Sequence, residues 1–315
     1  MAITGLRYGT RFTKRGRKNV KLGNKRLIGT AFVLPAFIIH LMIVTLPAFA
    51  MVYFAMTDWN GLSKANFVGF DNFVRMAHDM DFLNSIKNNL VWMSLFLIIP
   101  LILRLGLALL ITSMGKEQIF YRTMCFLPYV ICSVIAGKVF SAFYSPYSGI
   151  GPLLNAMGIT AMKDFAPLGN KSIALFAVAF VDNWHWWGFV LVLMMSALHQ
   201  VDASLYEAAI LEGINPVQKL FYITLPQIRS SIISYFIFII VASFKTFDYV
   251  WVMTSGGPAG ATELAATWIY KRTFVNYEAG YGSALSLTVC MGCLIIYIIQ
   301  SRITAHNRKK GGELA

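Results

Sequence analysis

The chain has 315 residues, of which 57% are hydrophobic and only 13% charged, and its formal net charge is +13. That balance is too apolar for a soluble domain and points to a polytopic membrane protein. The basic residues sit at the ends, which reads as a topology signal in preference to a nucleic-acid or anionic-lipid surface: Arg7, Arg11, Lys14, Arg15, Arg17, Lys18, Lys21, Lys25 and Arg26 precede the first apolar run, and Arg302, Arg308, Lys309 and Lys310 follow the last. Basic flanks of this kind mark cytoplasmic ends.

In chain order, residues 1–27 read as a basic cytoplasmic tail. The first span covers 28–56, with Pro35 and Pro47 inside it, and is too long for a cleaved signal peptide. Residues 58–87 are mixed and polar, and should lie outside. The second span, 90–112, is long enough to cross an apolar core of roughly 30 Å. Arg104 within it has two readings: it lines the bundle interior, or it snorkels toward the cytoplasmic surface, which is the preferred one. Residues 114–121 form a short inner loop, and the third span ends near 143. Residues 144–171, rich in Pro and Gly, read as an outer loop. The fourth span covers 173–198 and delivers the chain to a polar stretch at 199–228. The fifth covers 232–253. An outer loop follows at 254–282, with a tight turn at Ser255-Gly256-Gly257-Pro258. The sixth span ends near 303, and 304–315 is a cytoplasmic C-terminal tail. The fold class is therefore all-α, with six transmembrane helices in a domain of residues 28–303 and both termini cytoplasmic.

The stretch at 199–228 reads as helix, break, helix. Ser204 and Glu207 make a capping box. Ala208, Ala209 and Leu211 are strong helix formers. Gly213 suits the left-handed residue that closes a helix. Asn215 can cap a second helix, with Pro216 at its first position and Gln218 completing another box. Leu225-Pro226 should end it. The outcome is a short elbow at one membrane surface.

Glu207-Ala208-Ala209, three residues, Gly213, nine residues, then Ile223-x-Leu225-Pro226 resembles the cytoplasmic EAA loop of ABC importer permeases. Thr57-Asp58-Trp59-Asn60-Gly61, Phe67-Val68-Gly69-Phe70-Asp71-Asn72-Phe73, Tyr121-Arg122-Thr123 with Leu127-Pro128-Tyr129, and Phe247-Asp248 through Thr254-x-Gly256-Gly257-Pro258 resemble the sugar-importer branch. The resemblance runs from about Leu27 to Arg302. One departure is Ile214, where the family more often has a small residue. The resemblance implies an ABC type I importer permease fold in a bacterial cytoplasmic membrane. It further implies an elbow that plugs into a cleft on an ATPase subunit. The implied partners are a second homologous permease, two ATP-binding subunits, an extracytoplasmic solute-binding protein and membrane lipid. The ATPase-coupling residues would be Glu207, Ala208, Ala209, Gly213, Ile223, Leu225 and Pro226.

Catalytic motifs are not found in this sequence. There is no G-x-x-x-x-G-K-[ST] loop, no H-E-x-x-H and no G-x-S-x-G. The five His show no ligand spacing, so no metal is expected. ATP and Mg would bind the partner ATPase, with no cofactor on this chain. Cys290-x-x-Cys293 lies in an apolar segment without a nearby His and reads as packing. Polar groups at membrane depth are functional candidates. In the fourth span Asp182, Asn183, Trp186 and Phe189 share a helical face by their spacing, offering hydrogen bonds and a stacking surface to a sugar. In the fifth, Ser243 and Thr246 are three apart. These six are the candidate solute path. The competing readings are an interfacial aromatic belt for Trp184 to Trp187, and self-bonding to the backbone for Ser243 and Thr246. Lys245 and Asp248 are either a buried pair or face outer water. Asp182 argues against an anionic solute and Lys245 for one. Six spans with intramembrane charges also fit a self-sufficient carrier or channel, which leaves the elbow's spacing without a reason.

Overall fold

The computed structural model describes residues 22–312 except 98 and 163. Most of the expected N-terminal tail, residues 1–21, lies outside the described residues, as do 313–315. The chain divides into two units, Met1–Ala50 and Met51–Ala315. In the first, α1 (Leu22–His40) meets a wide π turn, Leu41–Thr45, before α2 (Leu46–Phe54) begins. Pro47 has no N–H to give the helical ladder, and the widened turn absorbs the missing bond. The apolar side chains here are exposed, as at Phe32, Ile43 and Phe49.

The second unit holds the packed bundle. A short antiparallel bridge pairs Thr57 with Phe67, and α3 (Asp71–Ala77) follows. Next come α4 (Met80–Leu97) and α5 (Ile99–Ser113), so this span starts at Met80 rather than at residue 90. The expected third span is two helices, α6 (Gln118–Val130) and α7 (Ser133–Phe143), bent by 88°. Ile131 and Cys132 are extended there. A small helix α8 (Ile150–Ala156) interrupts the expected loop before α9 (Ala174–Leu198). The elbow is α10 (Ala203–Leu211) and α11 (Pro216–Gln218). Through a π turn, Lys219–Thr224, the latter leads into α12 (Leu225–Lys245). The fifth span breaks at Thr246 and Phe247 and resumes as α13 (Asp248–Met253). α14 (Ala265–Tyr270) and α15 (Ala279–Gly312) complete the chain. Among the described residues, five helices are long and apolar enough to cross a membrane, or six if the bent pair is one span.

Helix α9 is the axis of the bundle. Val178, Val181, Leu191 and Met194 on it are almost wholly buried, packed among Trp92, Ile111, Ile228 and Val250. Gly188 lets α6 approach closely: a Cβ there would run into the backbone of Cys125 and Phe126. Small residues at such crossings are how membrane helices gain contact.

One carboxylate gathers the opposite end of the bundle. Asp79 Oδ1 accepts from the backbone N–H of Asp81 and Phe82, capping α4. Its Oδ2 accepts from Tyr281 Oη at 2.7 Å and Trp268 Nε1 at 3.1 Å, tying α15 and α14 to the same point. Burial alone would raise its pKa. The bonds from Tyr281, Phe82 and Trp268 and the charge of Arg272 outweigh burial and hold it below the usual carboxylate value. Asp79→Asn is expected to cost about 1–3 kcal/mol, read as a lower thermal midpoint in detergent. Because the folded pKa is depressed, the charged form's contribution is complete above the unfolded carboxylate pKa of about 4 and lost as pH falls through the folded value. The gap between wild type and variant should therefore be flat near neutral pH and close in acid.

Candidate functional site

Two helix breaks face one cavity. The α6–α7 corner at Ile131 and Cys132 and the α12–α13 corner at Thr246 and Phe247 both line a space of about 610 Å³. Ser133, the first residue of α7, donates to Asp248 Oδ2 at the start of α13. His185 Nε2 lies 2.7 Å from the Ile131 carbonyl. Since a carbonyl only accepts, that nitrogen carries the proton, and the bond satisfies backbone that the broken helix leaves open.

The six expected path residues divide between different surroundings. Asp182 and Ser243 are buried on the cavity wall, and Trp186 and Thr246 are half-buried there. The Ser243 carbonyl accepts from Asn89 Nδ2 at 2.7 Å, while Thr246 Oγ1 bonds the Ala242 carbonyl of its own helix. Asn183 is turned away and bonds Arg104. Phe189 stacks on Tyr129 with ring centroids 5.0 Å apart and lines a second cavity of about 360 Å³, beside Gln200, Ser230 and Ser234. Tyr235 and Phe238 line both cavities and so form the partition between them. Trp184 packs on Phe140 and Trp186 on Phe238, so these half-buried indoles pack against other helices of the bundle. Lys245 and Asp248 are exposed at the first cavity's rim and make no ion pair with each other.

Among the wall residues that sequence reasoning did not assign to the path are Trp92, His185 and Tyr249. For His185 a signal existed, since it stands three after Asp182 on the same helix. Trp92 and Tyr249 come from α4 and α13, and no local spacing connects them to α9.

Arg104 does not snorkel. It is fully buried, with Nη1 donating to Tyr235 Oη at 2.9 Å and Nη2 to the Asn183 carbonyl at 3.0 Å. Its guanidinium lies 5.1 Å from the Trp187 ring centroid. Acceptors on α9 and α12, with an aromatic face, make the interior a better place than the surface, and only the packing brings them together. Replacing Arg104 by Met strands these acceptors and should cost about 1–3 kcal/mol. Arg104→Lys should recover only part of that loss, because one ammonium does not reproduce the planar fork. Thermal unfolding of the purified variants reads both.

The elbow differs from expectation at its start and its end. The residue capping α10 is Asp202, whose Oδ1 accepts from Ser204 N–H at 2.9 Å; Ser204 is already inside the helix. Gly213 has φ +71°. Ile214 N–H bonds the Ala209 carbonyl and Gly213 N–H the Ile210 carbonyl, the paired bonds of a glycine-closed helix. Asn215 and Gln218 make the reciprocal box. Leu225-Pro226 does not end the helix, because the π turn before it takes up the proline, as at Pro47. Glu207, Ala208, Gly213 and Pro226 are exposed, Ile223 and Leu225 half-buried and Ala209 buried. Around them stand Ile210, Leu211 and Tyr222, with Leu211 89% exposed. Among the described residues no group of His, Cys, Asp and Glu is placed to hold a metal ion, and the four cysteines are free thiols.

A family model described as a binding-protein-dependent transport system inner membrane component matches residues 90–309. The diacetylchitobiose uptake system permease protein NgcF of Streptomyces coelicolor is 32% identical over 286 residues, covering 87% of this chain and 80% of that protein. The sn-glycerol-3-phosphate transport system permease protein UgpA of Shigella flexneri is 28% identical, covering 86% and 91%. A chain of a bacterial alginate ABC transporter, solved with an alginate pentasaccharide-bound periplasmic protein, superposes with a TM-score of 0.78. It is 21% identical and the match covers 89% of this chain and 95% of that one, a likeness of fold.

Proposed function

The chain belongs to the binding-protein-dependent transport system inner membrane components, and on that premise we propose how it works as the permease subunit of an ATP-driven sugar importer. It is a multi-pass protein of the bacterial inner membrane, with α6 and α7 together forming one of six spans and both termini cytoplasmic. Residues 28–303 are the transmembrane domain, flanked by cytoplasmic tails at 1–27 and 304–315. The chain catalyses nothing itself. Two partner subunits bind ATP and Mg, a second homologous permease completes the path, and a solute-binding protein delivers the sugar from outside.

The observation that carries this reading is the elbow. Its two helices are locally capped and joined by a left-handed Gly213, and they present Glu207 and Ala208 beside exposed Ile210 and Leu211. A rigid, apolar projection is what a partner needs in order to push on the bundle. Through its π turn the second elbow helix runs without a stop into α12, which carries Tyr235 and Phe238. A push on the elbow therefore moves the partition between the two cavities. In alternating access the cavity of Asp182 faces outward, the cavity of Gln200 and Ser234 inward, and the partition opens when the ATPases close. Each ligand state must bind the two conformations differently for this to work. Aromatic walls with a few polar groups suit a saccharide.

The expected test result is that Glu207→Ala weakens recovery of the ATPase by roughly tenfold, as truncation of a central contact does, with the thermal midpoint unchanged. Gly213→Val should weaken it too. A Cβ at this glycine meets nothing within 4 Å, so the cost is backbone strain of about 1–2 kcal/mol, and Gly213→Asn should be milder. Pull-down from the native membrane in mild detergent, with ATPase activity of the recovered complex, measures this. Undiminished recovery and activity in both variants would remove the elbow from coupling.

A further inference from the structure

The names of the relatives and of the solved neighbour span a neutral disaccharide, a phosphate ester and an acidic polysaccharide, so they do not say which charge this cavity takes. The cavity itself carries unspent polar groups. His185 Nδ1 and Tyr249 Oη are buried and have no hydrogen-bond partner in the protein, and the buried Trp92 N–H has the Asp182 carboxyl in range. All three residues line the first cavity together with Asp182. Their exposures are 0%, 7%, 4% and 4% in the order Trp92, His185, Tyr249, Asp182. They come from α4, α9 and α13, and each would be costly to leave unsatisfied. Two unpartnered groups beside the Trp92–Asp182 pair make a floor that a ligand's hydrogen bonds can complete.

Their chemistry decides what kind. His185 Nε2 donates to the Ile131 carbonyl, and in that tautomer of the imidazole Nδ1 is an acceptor. The Asp182 carboxyl also accepts. Trp92 Nε1–H donates, and Tyr249 Oη does either. No Lys or Arg is part of this floor. Arg104 is near enough to Asp182 to feel its charge, but it does not line the cavity, and its Nη groups are spent on Tyr235 and Asn183. Lys245 is exposed at the rim, where Asp248 stands with it. The opposing hints in the sequence therefore do not cancel: the carboxyl is at the floor and the ammonium at the mouth. Sites for carboxylates, sulfonates and phosphates use clustered cationic donors, which this floor does not have.

The geometry points to a floor subsite made of Trp92, Asp182, His185 and Tyr249 that accepts an uncharged or amino-bearing saccharide and rejects an anionic one. This rests on the importer reading above and assigns its substrate class. Hydroxyl or ammonium protons of the sugar meet Asp182 and His185 Nδ1, and a sugar oxygen meets Tyr249 Oη. An anionic group entering the same space meets the Asp182 carboxyl with no cation on the floor itself, since Arg104 stands behind the wall with its Nη groups spent on Tyr235 and Asn183, and so binds at least about tenfold more weakly.

The test uses the full chain with its co-purifying subunits in nanodiscs, followed by tryptophan emission, since Trp92 and Trp186 line the cavity. The probes are diacetylchitobiose and maltose as neutral sugars, chitobiose as an amino sugar, and glycerol 3-phosphate and an alginate trisaccharide as anions. Wild type should respond to the neutral and amino sugars at concentrations at least about tenfold below those needed for the anions. Asp182→Asn should bring the anions to within about threefold of the neutral sugars, by removing the like-charge penalty. Tyr249→Phe, which alters no charge, should weaken neutral binding by about tenfold, as loss of one polar partner does, while leaving the neutral-to-anion ratio in place. If anions bind wild type as well as neutral sugars do, or if Asp182→Asn leaves the ratio unchanged, the subsite is wrong although the importer reading stands. If no saccharide of either charge alters the emission of an ATP-hydrolysing complex, the sugar reading falls, and the subsite with it.

Discussion

A helix broken inside a membrane must recover the hydrogen bonds that it gave up, because hydrocarbon offers none. This chain breaks two helices, at Ile131–Cys132 and at Thr246–Phe247, and sets the corners against one cavity. The repair is made by side chains of neighbouring helices. His185 on α9 holds the Ile131 carbonyl, Asn89 on α4 holds the Ser243 carbonyl, and Ser133 joins the starts of α7 and α13 through Asp248. Irregular backbone persists at membrane depth only where it lines a cavity or is covered by protein. Here both conditions are met, and the cavity follows from the breaks.

The same economy of polar contacts organises the layer behind the cavity. Arg104 would be a liability in an apolar span, yet it joins α5 to α9 and α12 through Asn183 and Tyr235, with Trp187 at its face. Tyr235 thereby has two duties. It anchors the guanidinium, and with Phe238 it separates the two cavities. A partition residue tied to a buried charge has a defined closed position, which a purely apolar contact between mobile side chains would not give it.

At the elbow the order of causes is reversed, since local chemistry does most of the work. A glycine in the left-handed region closes one helix, and an Asn–Pro–x–Gln start opens the next. The tertiary structure adds the support beneath: Tyr206 Oη meets Thr224 Oγ1 at 3.2 Å, and Lys219 lies over the Tyr206 ring. The π turn at Lys219–Thr224 then lets Pro226 sit inside a helix that runs on into the bundle. Mechanical continuity from an exposed surface to the partition depends on that single widened turn.

Much of this was legible in the residues alone. Apolar length gave the number of candidate spans, charge at the ends gave their expected orientation, and the spacing from Glu207 to Pro226 gave the family. The break after Gly213 and the second cap at Asn215 were readable because each depends on neighbours within a few positions. Some misses were local as well: Asp202 took the capping place expected of Ser204, since the helix begins two residues earlier than its pattern suggested. Others were decided by packing. Helical spacing placed Asp182, Asn183, Trp186 and Phe189 on one face, but Arg104 drew Asn183 away and Tyr129 stacked on Phe189. Trp92 and Tyr249 joined Asp182 from helices distant in sequence. Periodicity orders side chains around one axis and carries no information about which other axis stands opposite. The residue sequence therefore determined the elements, the elbow and the kind of protein, while the tertiary structure alone decided which polar groups share a cavity.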